Sequence, residues 1–139
     1  MPSKPRRTGH VRSQPLIAVR DVEASSRWYQ AVLGCESGHG GPEYEMLLNN
    51  GELVLQLHAW DLDEHANLMG PDSAPRGHGV LLWFETTDFD ACVDAAQALK
   101  VEWVEAPHVN PNSRRWEFWA KDPDGYVVVV SAESRAKRS

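Results

Sequence analysis

The sequence predicts an α+β fold made of two tandem βαβββ modules. Two observations support this prediction: the second half of the chain repeats the order of elements in the first half, and each half closes with a tight strand hairpin. At 139 residues the chain is long enough for one domain with its own core. We expect a single domain at residues 14–133, with modules at about 14–66 and 79–133 joined by a Gly- and Pro-rich linker.

The repeat is visible as an offset of 67 residues, which places Asp21 over Asp88 and Gln30 over Gln97. In both halves an apolar strand runs into this Asp, a residue type that caps helices well. An amphipathic helix follows in each half. It is predicted at residues 22–33, where Gly34 ends it, and at residues 89–99. The shared order of elements indicates a duplicated module.

Each half also contains a turn signal between two strands. In the first half, Asn50-Gly51 favours a type I′ turn between strands at 44–48 and 53–58. In the second half, Asp122-Pro123-Asp124-Gly125 favours a type I turn, with Gly taking the left-handed position that ends it. The flanking strands are predicted at 116–120 and 126–131. The strands that open the two modules are predicted at 14–20 and 81–86.

Side-chain alternation gives each predicted strand one wholly apolar face, which suits packing beneath the helices. The opposite face is mostly apolar with a few polar groups, which is the composition of a ligand cleft. Its polar and aromatic side chains are candidate ligand-binding residues: Gln14, Gln56, His58, Trp83, Glu85, Glu117 and Trp119. His58 is also a candidate catalytic base, because imidazole exchanges protons near neutral pH.

Charge is unevenly distributed along the chain. Residues 1–13 and 134–139 are basic and carry no acidic residue, whereas residues 14–133 carry seven basic against 20 acidic residues, a net charge of about −13. Such a domain should repel nucleic acid and favour neutral or cationic ligands. We expect the two basic tails to be disordered.

The cysteine content and the distribution of apolar residues indicate the cellular compartment. Cys35 and Cys92 are the two cysteines, and they form no CxxC pair. No apolar run approaches the roughly 18 residues of a membrane span, and the polar N-terminus does not resemble a secretory signal. We therefore expect a cytoplasmic protein with free thiols that binds neither membranes nor nucleic acid.

Three segments resemble a known family. Val19-Arg20-Asp21-Val22, the helix ending Arg27-Trp28-Tyr29-Gln30-Ala31-Val32-Leu33-Gly34, and Asp122-Pro123-Asp124-Gly125-Tyr126 resemble the vicinal oxygen chelate superfamily. This superfamily groups glyoxalases, bleomycin resistance proteins and extradiol dioxygenases. The resemblance covers about residues 14–133. It implies paired βαβββ modules whose sheets curl into a cup, and a homodimer.

The resemblance also implies where a metal ion would bind. In metal-dependent members, His, Glu or Gln ligands project from the first and last strand of each module, and these positions correspond to Gln14, Gln56, Leu81 and Val129. Leu and Val cannot coordinate a metal, and two neutral amides do not balance the charge of a divalent ion. We therefore predict no metal at these positions and no cofactor.

These observations predict a metal-free small-molecule-binding protein of this superfamily, with a planar or cationic ligand in the cup. Trp83 and Trp119 are candidates to sandwich a planar ring. The alternative is a lyase, isomerase or dioxygenase-like enzyme of the same superfamily. It would use His58 as a base, or a metal bound by His58, Asp61 and His65. The Pro- and Asn-rich segment 108–115 is predicted to be a polar connection between strands; the alternative is a lid that carries Arg114 for an anionic substrate.

Overall fold

The computed structural model describes Gly9 and residues 12–60, 66–68, 70–71 and 74–136. The first module contains β1 (Leu16–Val19), α1 (Val22–Leu33), β2 (Glu36–Ser37), β3 (Tyr44–Asn49) and β4 (Glu52–Ala59). The second contains β5 (Leu81–Thr86), α2 (Phe89–Ala98), β6 (Glu102–Val109), β7 (Arg115–Lys121) and β8 (Val127–Arg135). A short 3-10 helix at Ala66–Leu68 lies in the connection between them. Each module is βαβββ, as predicted.

Each module forms one mixed four-stranded sheet. The strand orders are β1-β4-β3-β2 and β5-β8-β7-β6. In both, the first strand pairs in parallel with the last, and the remaining neighbours pair antiparallel. Leu16 lies opposite Gln56 in the first sheet, and Trp83 lies opposite Val129 in the second. Leu16 and Trp83 are 67 residues apart, while their partners Gln56 and Val129 are 73 apart. The identical strand order and strand directions of the two sheets confirm the repeat.

Helix boundaries follow from capping chemistry. The Asp21 carboxylate accepts a hydrogen bond from the Ala24 N–H at 3.0 Å, and the Asp88 carboxylate accepts one from Ala91 at 3.3 Å. Gly34 ends α1 in the left-handed conformation, with φ of 71°. These caps confirm the predicted start of both helices and the predicted end of the first.

The first hairpin contains a departure from simple alternation. Asn50 and Gly51 both have positive φ, as a type I′ turn requires. The register then shifts, because Leu48 pairs with Leu53 while Leu47 pairs with Leu55. Val54 is therefore the extra residue of a β-bulge, and it packs against the core. Strict alternation along the predicted strand 53–58 would place Val54 on the same face as Gln56 and His58, and the bulge overturns that expectation.

The helix-covered faces of both sheets share one hydrophobic core. Helices α1 and α2 also contact each other. The core draws on every long strand of both modules and on both helices; fully buried members include Val19, Tyr29, Val32, Leu47, Leu55, Leu57, Ala96, Phe118, Ala120, Val128 and Val130. Cys35 and Cys92 are buried free thiols, as predicted, and burial raises the pKa of Cys35 to about 11. Neither helix in the described part of the chain has the length and apolar character needed to cross a membrane.

The turn between β7 and β8 joins the two modules. The Tyr29 hydroxyl on α1 donates to Asp122 Oδ2 at 2.7 Å, and the backbone N–H of Arg20 donates to Asp124 Oδ1 at 2.9 Å. The Tyr126 hydroxyl returns a hydrogen bond to the carbonyl of Ala18 at 3.0 Å. The family-like segments of the two halves are therefore direct partners in the structure.

Candidate functional site

The helix-free face of the second sheet carries two rows of side chains that run across all four strands. The first row, here called the aromatic row, is Trp83, Val129, Trp119 and Glu105. The second, called the polar row, is Glu85, Ser131, Glu117 and His108. Residues paired across strands share a face of the sheet, so both rows lie on the side away from the helices. All four candidate ligand-binding residues of the second module lie in these rows.

The aromatic row is pre-ordered by contacts between its own members. The Trp83 and Trp119 rings meet edge to face, with centroids 6.4 Å apart and planes at 74°. The Trp83 indole N–H donates to the Ser131 hydroxyl at 3.3 Å. Two rings in mutual edge-to-face contact cannot sandwich a third ring, so the predicted sandwich is wrong. A planar molecule can still stack on Trp83, which remains 49% exposed.

At one end of the polar row, Glu85 on β5 pairs with Arg115 on β7, two strands away in the sheet. The Arg115 guanidinium donates to Glu85 Oε1 at 2.6 Å, and both side chains are exposed. An exposed pair of this kind contributes little stability because water screens it. It does neutralise the Glu85 carboxylate, so Glu85 contributes little net charge to the surface beside Trp83.

Glu117 is the most deeply buried charged group on this face, with 1% of its surface exposed. The Asn110 amide donates to Glu117 Oε1 at 2.9 Å, and the Trp119 indole N–H donates to Oε2 at 2.7 Å. Asn110 follows the end of β6, and Trp119 lies two residues after Glu117 on β7. Together the two donors hold the carboxylate in one orientation. A buried carboxylate needs such donors to offset the cost of leaving water.

Glu105 and His108 complete a cluster around Glu117. His108 Nε2 lies 3.4 Å from Glu117 Oε2 and 3.8 Å from Glu105 Oε2. Residues three apart on a regular strand point to opposite faces, but the β6–β7 register shifts between Glu105 and His108 and turns both to the same side. Among the residues that the structure describes, this is the one group of three metal-capable side chains whose ligand atoms all lie within 4.8 Å of one another.

Sequence reasoning missed this cluster. It placed His108 in a connecting loop, whereas β6 extends to Val109 and includes it. A signal did exist, since His108 and Glu105 flank a proline in a segment of β-compatible residues. Without the register shift, however, alternation would have separated the two side chains.

The candidates of the first module form a separate group. Gln56 accepts a hydrogen bond from the Tyr44 hydroxyl, and its amide donates to the backbone carbonyl of Gln14 at 3.1 Å. His58 lies on the same face as Gln56, is buried, and its Nδ1 lies 2.9 Å from the carbonyl of Ala59. Gln14 and Gln56 thus make these hydrogen bonds within the first module, and the candidates of the second module make theirs within the second. Asp61 and His65, the other members of the predicted metal-binding alternative, lie outside the described residues.

The positions that correspond to the family's metal ligands do not fit a metal ion. Val129 is fully buried between Trp83 and Trp119, and Leu81 is an exposed apolar side chain. The side-chain oxygen of Gln56 is already an acceptor for Tyr44. Two of the four positions therefore offer no ligand atom, and a third offers only a neutral amide, which does not balance the charge of a divalent ion.

A cleft of about 490 Å³ lies elsewhere, between the two modules on their helix side. It is lined by the end of α1, the β3–β4 turn and the residues that join β5 to α2, and it includes both cysteines. None of the predicted ligand-binding residues except Glu85 reaches it. Burial raises the pKa of both thiols, which leaves them protonated and unreactive near neutral pH.

Paired βαβββ sheets with an aromatic, helix-free face define a fold of the glyoxalase type. The chain matches the family model of the Glyoxalase/Bleomycin resistance protein/Dioxygenase superfamily over residues 7–130, and it belongs to this superfamily. The resemblance drawn from the three sequence segments is thereby confirmed. No curated protein sequence matches the chain.

Solved structures agree on the fold. A protein of unknown function from Agrobacterium tumefaciens is 23% identical, with a TM-score of 0.73 over 92% of this chain and 98% of that one. The fosfomycin resistance protein FosX from Mesorhizobium loti is 14% identical, with a TM-score of 0.62 over 93% and 95%. Lactoylglutathione lyase from Agrobacterium tumefaciens is 18% identical, with a TM-score of 0.65 over 91% and 96%. At these identities the similarity extends to the fold alone.

Proposed function

We propose that this protein binds a planar, positively charged small molecule on the helix-free face of the second sheet, without a metal ion at the family's metal position. The observation that carries the proposal is the aromatic row. Where a metal-dependent relative would place a ligand on the last strand, this chain has Val129 buried between two tryptophans. The centre of the face is therefore apolar and aromatic.

The planar shape of the ligand follows from the exposed indole of Trp83. Its N–H donates to Ser131 and its ring is in edge-to-face contact with Trp119, so the ring cannot turn freely. A rigid aromatic face loses little entropy when a second ring stacks on it. Leu81 on the same strand is 44% exposed and extends the apolar surface beside it.

The positive charge of the ligand is inferred from the net charge of the domain. Residues 14–133 carry a net charge of about −13, so a cation is attracted from a distance. A cation close to an indole face gains further attraction from the ring electrons. A planar anion of the same size would be repelled by the same negative charge.

We also propose that two copies of the chain assemble so that the exposed faces cover each other. Leu16 is 37% exposed on the first sheet, and Leu81 and Trp83 are exposed on the second. Apolar side chains of this size at equivalent positions of both modules favour burial in an interface. The ligand would then bind between the second sheet of one copy and a surface of the other.

Tryptophan fluorescence tests the ligand proposal. A planar aminoacridine cation should quench the emission saturably, and a planar aromatic sulfonate of similar size should not. Trp83→Ala should raise the ligand concentration at the quenching midpoint by about tenfold or more, since stacking contributes one to a few kcal/mol to binding.

Trp116→Ala is the matched control. Trp116 is 42% exposed, an exposed fraction similar to that of Trp83. It packs, however, against Phe89 of α2 on the helix side of the sheet. Its removal should leave the quenching midpoint unchanged. Equal quenching by the cation and the sulfonate, or equal effects of the two substitutions, would refute the proposal.

A further inference from the structure

We propose that Glu105, His108 and Glu117 bind a divalent transition-metal ion at the open edge of the second sheet. The three residues lie on β6 and β7, and β6 is the edge strand of the order β5-β8-β7-β6. The site is therefore displaced from the family's position on β8. It does not depend on the small-molecule proposal above.

The distances fit a tetrahedral ion. With bonds of about 2.0–2.1 Å, tetrahedral Zn²⁺ separates its ligand atoms by roughly 3.3 Å. His108 Nε2 is 3.4 Å from Glu117 Oε2 and 3.8 Å from Glu105 Oε2, and the three ligand atoms all lie within 4.8 Å of one another. Glu105 is exposed, so rotation of its side chain can close the remaining gap without disturbing the fold.

His108 presents the correct nitrogen. Its Nδ1 lies 2.8 Å from the backbone carbonyl of Ala106, and a carbonyl can only accept a hydrogen bond. Nδ1 therefore carries the proton, and in the neutral ring the lone pair of Nε2 points toward the two carboxylates. Metal-binding histidines are commonly oriented by this kind of backbone hydrogen bond. A cation placed among the three atoms would accept a lone pair from each of them.

Glu117 is held as a ligand by residues outside the cluster. Asn110 donates to Oε1 and Trp119 donates to Oε2, which faces His108. A carboxylate oxygen has two lone pairs, so Oε2 can accept the indole N–H and coordinate a metal at the same time. Fixed carboxylates of this kind bind metal with little loss of side-chain entropy.

The donor set selects the class of ion. One imidazole and two carboxylates suit Zn²⁺ and neighbouring divalent transition metals better than the oxygen-only preference of Ca²⁺ or Mg²⁺. Three protein ligands leave at least one coordination position open. The His108 and Glu105 side chains are partly exposed, so that position can be reached from solvent.

Isothermal titration calorimetry with ZnCl₂ alone tests the site on EDTA-treated, full-length protein. We expect saturable binding of one ion per chain. His108→Ala should abolish it, and Glu105→Gln should weaken it by about tenfold or more. Because Glu105 is exposed, E105Q leaves the fold intact and keeps the test decisive if H108A proves unstable.

His78→Ala and His65→Ala are the matched controls. His78 is an exposed histidine outside the cluster, and His65 belongs to the alternative sequence-predicted site with Asp61. Both variants should bind Zn²⁺ like the unmodified protein. Absence of saturable binding, persistence of binding in H108A, no weakening in E105Q, or loss of binding in H65A would each overturn the proposal.

Discussion

Two buried carboxylates make stability depend on pH in opposite directions. Burial raises the pKa of Asp122 to about 6, although hydrogen bonds from Tyr29 and from the N–H groups of Asp124 and Tyr126 favour its charged form. Burial alone would also raise the pKa of Glu45. Hydrogen bonds from two serine hydroxyls and from the N–H groups of His39 and Gly40 outweigh it and lower the pKa to about 2.

For Asp122, the folded state binds the proton more tightly than the unfolded state, whose pKa is near 3.8. Its contribution to stability is therefore present below pH 3.8 and is lost as the pH rises through about 6. Asp122→Asn has no proton to lose. Between pH 4 and pH 7, the free energy of unfolding of D122N in urea should rise relative to that of the unmodified protein by up to about 3 kcal/mol. Parallel stability curves for the two proteins would contradict this assignment.

For Glu45 the sign is reversed. Its folded pKa lies below the unfolded value, so its contribution is present above pH 4.5 and is lost as the pH falls through about 2. Glu45→Gln should destabilise the protein by about 2 kcal/mol at pH 7, because several donors lose a charged acceptor. The cost should shrink in acid. Chemical unfolding at pH 7 and pH 3 measures both values, and an equal cost at the two pH values would exclude a charged Glu45.

At the scale of elements, the end of the connection between the modules, at Arg76 and Gly77, packs closely on the second hairpin. Gly77 has φ of 74°, and a Cβ there would lie 2.7 Å from Tyr126 Cδ1 and 3.2 Å from Tyr126 Cα. Nearby, the Arg76 guanidinium stacks on Trp60 at 4.1 Å and lies 3.9 Å from Asp124. This end of the connection therefore packs against the same turn that accepts hydrogen bonds from Tyr29 and Arg20.

Gly77→Ala and Gly79→Ala separate packing from backbone strain. Both glycines have positive φ, but a Cβ at Gly79 meets nothing within 4 Å. Each substitution pays the strain of the left-handed conformation, about 1 kcal/mol. G77A should lose a further 1–3 kcal/mol or so through its clash with Tyr126. Thermal and urea unfolding provide the measurement, and equal losses in the two variants would show that Tyr126 can move aside.

At the scale of the whole molecule, the shared core lies on the helix side of both sheets, while Leu16, Leu81 and Trp83 stay exposed on the other side. If two copies cover these faces, Leu81→Glu should produce monomers, because a charge buried in an apolar interface is costly. Sedimentation velocity at micromolar concentrations measures the association state. Leu99→Glu is the control, since Leu99 is 45% exposed at the end of α2 and should leave the dimer intact. A monomeric unmodified protein would contradict the expectation.

Much of this fold was readable from short stretches of sequence. Asp21, Asp88 and Gly34 set helix ends, Asn50-Gly51 and Asp122–Gly125 set hairpins, and each acts on neighbours only a few residues away. The absence of ligand atoms at Leu81 and Val129 was equally plain, because it depends on residue type alone. Local chemistry of this kind can be predicted without knowledge of the rest of the chain.

Only the assembled sheets decided which side chains meet. The bulge at Val54 and the register shift between Glu105 and His108 each reverse the alternation that sequence reasoning must assume. The edge-to-face contact of Trp83 and Trp119 likewise depends on pairing between strands distant in sequence, and the burial of Glu117 beneath Asn110 and Trp119 depends on the pairing of β6 with β7. The sequence determined the family and the absence of ligand atoms at Leu81 and Val129, because both rest on residue identity. The cluster at the sheet edge required the tertiary structure, because register is a property of paired strands.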